Sequence, residues 1–292
     1  MTKGVHAVIT GANTGIGFIT ARELARQGAR VTLAGRSPDR HSRAIAEIKQ
    51  SIPDADVSFA PLDLADLDSV RACAAALIVG PKIDLLINNA GLGGIRGTTK
   101  QGFELAFGTN HLGHYLLTRL LVGPRSPASA GFAPSGHLVP GARVINVSSR
   151  QHEKSKRPQW THVVGDTRSY TGLPEYAVSK LANVLFTSEL ARRYPSAQLR
   201  ACSVHPGRVA TDIFRRVPKP LLALTKIVRP MITPEQGAAT TLHCATASDD
   251  AIPHGSYFAR QKLAQASKLA QDAELARELW DRSAEWVKLP SA

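Results

Sequence analysis

The chain has 292 residues, 43% of them hydrophobic, and a formal net charge of +13, with a pI of ≈ 10.0; that length allows one large or two small domains and supplies ample apolar material for a core. Three cysteines, Cys73, Cys202 and Cys244, show no CxxC spacing and leave one unpaired in any disulfide scheme, which fits a reducing compartment. The opening MTKGVHAVIT lacks a signal-peptide core and no apolar run of 18 residues occurs, so the expectation is a soluble, cytoplasmic protein without a transmembrane anchor.

Apolar runs at residues 5–10, 29–34, 57–62, 83–88, 143–148 and 199–205 are rich in Val, Ile and Leu and bounded by Gly, Pro or Asp; they read as buried strands. Helical patterns alternate with them at residues 15–27, 39–50, 66–78, 101–121, 175–193 and 234–247. Such alternation predicts right-handed crossovers and a mainly parallel sheet covered on both faces: a single α/β, doubly wound domain over residues 1–292. Residues 122–141 are rich in Gly, Pro and Ser and read as a surface loop on the edge away from function. Residues 150–172 and 206–233 follow strand ends, where doubly wound sheets bind their ligands. Residues 262–287 carry helical spacing and would close the domain or meet a partner subunit in a homo-oligomer.

The first strand runs into Thr10-Gly11-Ala12-Asn13-Thr14-Gly15-Ile16-Gly17 and then a helix. Glycines at such a turn let backbone N–H groups approach a pyrophosphate at the helix N-terminus. The spacing is G-x-x-x-G-x-G, which differs from the common G-x-G-x-x-G.

That loop resembles the cofactor loop of the short-chain dehydrogenase/reductase family, and further motifs appear in the family's order. Asn88-Asn89-Ala90-Gly91 follows the fourth strand, Asn110 lies on the next helix, and Ser148-Ser149 ends the fifth strand. Tyr176-x-x-x-Lys180 comes next, then Pro206-Gly207 after the sixth strand. The stretches TGANTGIG, VINVSSRQH, YAVSKLANVLFTSELARR and VHPGRVATDI look like the retinol dehydrogenase-like branch. The resemblance spans about residues 5–240 and implies a seven-stranded Rossmann fold. It implies a catalytic set of Asn110, Ser149, Tyr176 and Lys180. It also implies a dinucleotide site built from Gly11, Asn13, Thr14, Gly15, Ile16, Gly17, Arg36, Asp63, Leu64, Asn89, Ala90, Gly91, Tyr176, Lys180, Pro206, Gly207, Val209 and Thr211.

The second strand ends Ala34-Gly35-Arg36-Ser37, with no carboxylate before Asp39. An acidic residue there would accept from a ribose 2′-OH and repel a 2′-phosphate, whereas Arg36 offers charge-assisted hydrogen bonds to the phosphate. The expected cofactor is therefore NADP(H). Asp63-Leu64 resembles the family's adenine contact, although Asp63 is equally placed to cap the helix that starts near Asp66.

Reducing a carbonyl needs hydride at carbon and a proton at oxygen. Tyrosine is a weak acid, with a reference pKa of about 10, and an ammonium beside it favours the phenolate. At roughly 5 Å and an effective dielectric of about 20 the attraction is about 3 kcal/mol. Residues four apart share a helix face, so Tyr176 and Lys180 can act together. Ser149, the second of the serine pair by resemblance, would hold the substrate oxygen by a hydrogen bond. By resemblance too, Lys180 bonds the nicotinamide ribose and Asn110 helps to hold a water that relays protons to Lys180. Tyr170 is a rival tyrosine, but Pro174 stands four residues on.

His111 and His114 stand three apart with no third ligand at metal-site spacing, so no metal is expected, and His205 is expected to pack near the nicotinamide. Trp160, Val163 and Val164 are candidates for a pocket wall. In residues 205–232, Arg208, Arg215, Arg216, Lys219, Lys226 and Arg229 face Asp212 alone, a net charge of +5, with apolar residues interleaved. This segment lies where the family keeps its substrate lid. It suits a hydrophobic small-molecule carbonyl or alcohol substrate, with lysine and arginine stems covering apolar surface or a basic rim touching a membrane or anionic carrier. No basic–aromatic stacking surface points to nucleic acid. The leading reading is NADPH-dependent carbonyl reduction or its reverse; a catalytically silent NADP-binding regulatory protein is the alternative, and it predicts a broken catalytic set.

Overall fold

The structure, a computed structural model, describes residues 3–123, 136–207 and 232–290. Its centre is an eight-stranded sheet in the order β3-β2-β1-β4-β5-β6-β7-β8. The strands are β1 (His6–Thr10), β2 (Arg30–Gly35), β3 (Val57–Pro61), β4 (Ile83–Asn88), β5 (Leu138–Val147), β6 (Leu199–His205), β7 (Ser256–Ala259) and β8 (Lys262–Ala264). All neighbours pair in parallel except β7 and β8, which are antiparallel.

Helices α1 (Gly15–Arg26), α2 (Pro38–Ser51), α3 (Leu67–Ile78), α5 (Leu173–Arg193), α6 (Pro234–Thr246) and α7 (Ala273–Trp286) are regular. Helix α4, residues 105–122, carries a π-helical turn over Gly108–Leu112. Most helix starts are set by local chemistry. Ser37 accepts from Arg40 N, with Pro38 in the first turn; Asp66 accepts from Asp68 N; Thr233 and Gln236 form a capping box; Asp272 accepts from Leu275 N. Each such bond satisfies an N–H that the helix cannot.

Helices cover both faces. Alternate β1 residues divide between two cores: Val8 packs with α3, α4, α5 and α7, while Ala7 and Ile9 pack with α1, α2 and α6. Both faces are therefore apolar, which is why the strands read as unbroken hydrophobic runs. The first core is aromatic. Trp280 is buried with two guanidiniums against its ring, Arg119 at 4.7 Å and Arg193 at 4.8 Å from the ring centroid, and Tyr115 meets it edge-on at 5.2 Å.

Several expectations need correction. The sheet has eight strands, not seven, because Lys262–Ala264 turns back as an edge strand; in residues 262–287 a short 3-10 turn over Lys268–Gln271 and the α-helix Ala273–Trp286 remain helical. Two short runs of three and four residues carry too little periodicity to show as strands. Strand β5 begins at Leu138, inside the expected 122–141 loop; residues 124–135 of that loop lie outside the described residues. So do residues 208–231, which include most of the expected lid and the cofactor candidates Val209 and Thr211. Asp66, not Asp63, caps α3.

Trp280 is a large buried side chain with aromatic and cationic partners on several elements. Trp280→Ala should lower the unfolding free energy by about 3–5 kcal/mol, read as a shifted denaturant midpoint; a change under about 1 kcal/mol would show that α7 does not anchor this core.

Candidate active site

The carboxyl ends of β1, β4 and β5 converge on one place. Thr10, the last residue of β1, accepts through Oγ1 from Asn89 N at 3.0 Å and Ala90 N at 2.9 Å. Asn89 returns the contact by donating Nδ2 to Thr10 O at 2.8 Å. The glycine loop and the Asn-Asn-Ala-Gly turn are thus one hydrogen-bonded unit. Helix α1 starts within it, and its N-cap, Thr14, makes no side-chain bond to the first turn. A helix start with N–H groups left uncapped suits an anion. Gly17 packs against the loop so closely that a Cβ would meet Asn89 Nδ2 at 2.5 Å and Gly11 O at 2.6 Å. These features fit a dinucleotide pyrophosphate, with Gly11, Asn13, Thr14, Gly15, Ile16 and Gly17 around it. Arg36 stands exposed at the end of β2 with no ion pair among the described residues. Asp63 is half-buried, its Oδ1 accepting from Ala65 N at 2.9 Å, beside buried Leu64.

The proton-handling residues meet at the start of α5. Tyr176 and Lys180 are both buried, with Lys180 Nζ 5.7 Å from the Tyr176 ring centroid. Nζ donates to Val147 O at 2.9 Å, and Asn183 Nδ2 donates to the same oxygen at 3.2 Å. Ser148 Oγ donates to Lys180 O at 2.7 Å and is thereby committed to structure. Ser149 is not committed in that way: its Oγ accepts from Gln151 N at 3.2 Å, and it lies near enough to the Tyr176 phenol to act on its ionisation. The ring of Tyr176 lies against Gly93, where a Cβ would come within 2.8 Å of it.

Asn110 lies in the π turn and is buried. Its Nδ2 donates to Leu92 O at 2.8 Å and to Ser179 Oγ at 2.9 Å, while Oδ1 accepts from Leu92 N at 2.9 Å. Ser179 Oγ donates to Tyr176 O at 2.8 Å. Asn110 therefore ties the loop that follows Gly91 to the helix turn that carries Tyr176 and Lys180.

The electrostatics differ from the sequence expectation. Burial pushes the Tyr176 phenol up to about 12, with Ser149 acting in the opposite direction. Burial also draws Lys180 down to about 7. The lysine was expected to lower the tyrosine, but its nitrogen faces Val147 O, and burial sets the direction of the shift. His205 is held at about 4 by burial and by the Arg150 charge; its Nδ1 accepts from Arg150 N at 3.2 Å, fastening the end of β5 to that of β6.

Other candidates fall elsewhere. Trp160 and Val163 belong to the aromatic core, with Trp160 6.4 Å from Phe107 and 6.2 Å from Trp286. They do not form an open pocket wall, and Val164 is largely exposed. The segment holding them is pinned by buried Glu104, which accepts from Thr167 Oγ1 at 2.7 Å; burial pushes its carboxyl upward. His111 and His114 point to different partners, Ser283 and Thr10. An open cavity of about 370 Å³ lined by Ser188, Arg192, His254 and Asp272 lies at the far end of α5 from Tyr176; the chemistry-bearing groups are not there. Sequence reasoning missed His114 and Ser179 as supports of this site, although the i, i+4 spacing of Asn110 and His114 was visible.

Comparison with known proteins defines the class. A short chain dehydrogenase family profile matches residues 5–221. The chain is 39% identical over 289 residues to retinol dehydrogenase 11 of Homo sapiens, covering 98% of this chain and 87% of that one. It is 41% identical over 285 residues to retinol dehydrogenase 12 of Mus musculus, covering 97% and 86%. The crystal structure of an uncharacterized protein from Mycobacterium Paratuberculosis aligns with a TM-score of 0.78 at 34% identity, covering 99% of this chain and 96% of that one. The chain belongs to the short chain dehydrogenase family. Within it, this is an oxidoreductase of the retinol dehydrogenase-like branch, working with a nicotinamide dinucleotide. No helix among the described residues is long and apolar enough to cross a membrane.

A Cβ at Gly17 has only backbone and the Asn89 amide to displace. Gly17→Ala should abolish dinucleotide binding while the protein stays folded, as read by fluorescence titration and circular dichroism; unimpaired binding would remove the phosphate assignment from this loop.

Proposed function

We propose that the protein reduces the carbonyl of a hydrophobic ketone or aldehyde to an alcohol with NADPH, or runs the reverse oxidation. The observation that carries this reading is the meeting of Ser149, Tyr176, Lys180 and Asn110 at one buried spot beside the glycine loop. The dinucleotide supplies the hydride when bound; this chain's residues manage the oxygen and its proton. Ser149 is half-exposed and lies beside the phenol, so its hydroxyl can hold the substrate oxygen. Tyr176, held protonated up to about 12, is in the state a proton donor needs as the alcohol forms. Lys180, buried with a pKa near 7, replaces or withdraws positive charge beside the ring as the proton leaves. Asn110 holds Leu92 and Ser179 so that the turn carrying these groups keeps its place.

The preference for NADPH rests on Arg36. An exposed guanidinium at the end of β2 can take a 2′-phosphate with two parallel bonds, and Ser37 beside it is occupied as the α2 cap. The intact catalytic set speaks against a silent regulatory protein.

Monitoring NADPH and NADH absorbance against ketones, aldehydes and quinones tests the reading. Tyr176→Phe should reduce turnover to background with NADPH binding retained, and unchanged turnover would refute the mechanism. Arg36→Leu should raise the KM for NADPH by about 10–100-fold, the loss of one or two charge-assisted bonds, and leave that for NADH nearly unchanged. Oxidation requires the phenol to release its proton, so its rate should climb from pH 7 to 10 while reduction does not; the opposite slopes would displace Tyr176 from its role.

A further inference from the structure

His114 is a buried titratable group that touches both halves of the site and takes no part in the chemistry above. It lies one turn beyond Asn110 on α4. Its Nδ1 is 2.9 Å from Asn110 O, and its Nε2 is 2.8 Å from Thr10 Oγ1. A carbonyl only accepts, so Nδ1 carries the ring proton. In the neutral ring Nε2 is then a bare acceptor, and the Thr10 hydroxyl donates to it. The two lone pairs of that hydroxyl accept from Asn89 N and Ala90 N. Ile87 O is a second acceptor within reach of Thr10 Oγ1, at 3.5 Å, but the 2.8 Å contact to Nε2 claims the single hydroxyl proton; both lone pairs are used, and the ring tautomer is fixed by Asn110 O.

We propose that His114 is a positioning residue: its neutral imidazole sets the spacing between the dinucleotide-binding ends of β1 and β4 and the proton-transfer turn of α5. The first link runs through Thr10 to Asn89 and Ala90. The second runs through Asn110 to Leu92 and, by way of Ser179, to Tyr176. Protonation would break the first link, because a second ring N–H would point at a hydroxyl whose lone pairs are already taken. The surroundings resist it. Burial draws His114 down to about 4, and the facing Lys180 ammonium on α5 acts in the same direction. On its own helix the titratable neighbour is His111, itself held near 3 by burial.

The inference rests on the reductase reading and adds a residue to it. The test compares the full-length wild type with His114→Phe, His114→Gln, Thr10→Val and the His114→Phe/Thr10→Val double variant. Carbonyl turnover is measured alongside dinucleotide titration, with circular dichroism to check folding. His114→Phe should lower kcat by about 100-fold, the cost of slightly misplaced reacting groups, with the KM for the carbonyl within about twofold because the ring touches no substrate. Dinucleotide binding should weaken by about tenfold as the Thr10 hydroxyl loses its close acceptor and turns to Ile87 O, 3.5 Å away. His114→Gln, which keeps an acceptor on a longer stem, should recover part of both losses. The double variant should be no worse than the poorer single one, since both remove the same link.

Wild-type kcat and binding in folded His114→Phe, or losses that add in the double variant, would overturn the inference. Should His114→Phe fail to fold, His114→Gln and Thr10→Val decide, and wild-type behaviour of both would overturn it equally. A wild-type chain that turns over no carbonyl would sink the reductase reading instead, with the dinucleotide titrations still deciding on His114.

Discussion

Lys180 carries an amine into a part of the protein that excludes almost all water. Among the described residues its nitrogen has one hydrogen-bond acceptor, the carbonyl of Val147 at 2.9 Å. One such bond does not offset the loss of hydration of an ammonium, and the amine answers by giving up its proton more readily, near pH 7. The arrangement depends on β5 ending at Val147. It depends also on α5 lying across that end, where Lys180 and Asn183 both donate to Val147 O and Ser148 donates to Lys180 O. The glycine at position 93 follows from the same demand, because only a residue without a side chain lets the loop close over Tyr176.

The result is a dry pair in which both members favour their uncharged forms. A protonated phenol and a readily neutralised amine carry little charge, so burying this pair costs less desolvation free energy than burying two fixed ions. Below the site the same economy recurs: Asn88 Nδ2 donates to Asn146 Oδ1 at 2.8 Å and to Thr118 Oγ1 at 2.9 Å, and Asn146 Nδ2 donates to Thr187 Oγ1 at 2.9 Å. This buried ladder crosses from β4 to β5 to α5 and holds the two strands that carry the chemistry in fixed register with the helix above them.

What could be read from the residue string was what repeats locally. The strand runs, the glycine loop, Asn89-Ala90-Gly91 and the Tyr176–Lys180 spacing all express constraints within a few residues, and the structure brings them together. Four features were not legible that way. The β7–β8 hairpin is too short to show a period, so residues 262–264 looked helical. Trp160 and Val163 sit in a polar stretch that suggests a pocket, yet their partners Phe107 and Trp286 lie far away in sequence. The direction in which Tyr176 shifts depends on how much water surrounds it, and spacing alone gave Coulomb attraction without desolvation. His114 was weighed as a metal ligand because histidines three apart invite that comparison; its true neighbour, Thr10, is 104 residues away.

The π turn in α4 changes how one helix can serve two surroundings. In an unbroken α-helix each residue advances the side-chain direction by about 100°, so a given face keeps one orientation along its length. The wider turn over Gly108–Leu112 inserts a phase offset at Asn110. Phe107 before it and Tyr115 after it both reach the aromatic core, while Asn110 between them is aimed at Leu92 and Ser179. A deletion of one residue here would leave a better helix by any local measure. It would also rotate every later side chain out of step, forcing the chain to choose between its core and its site.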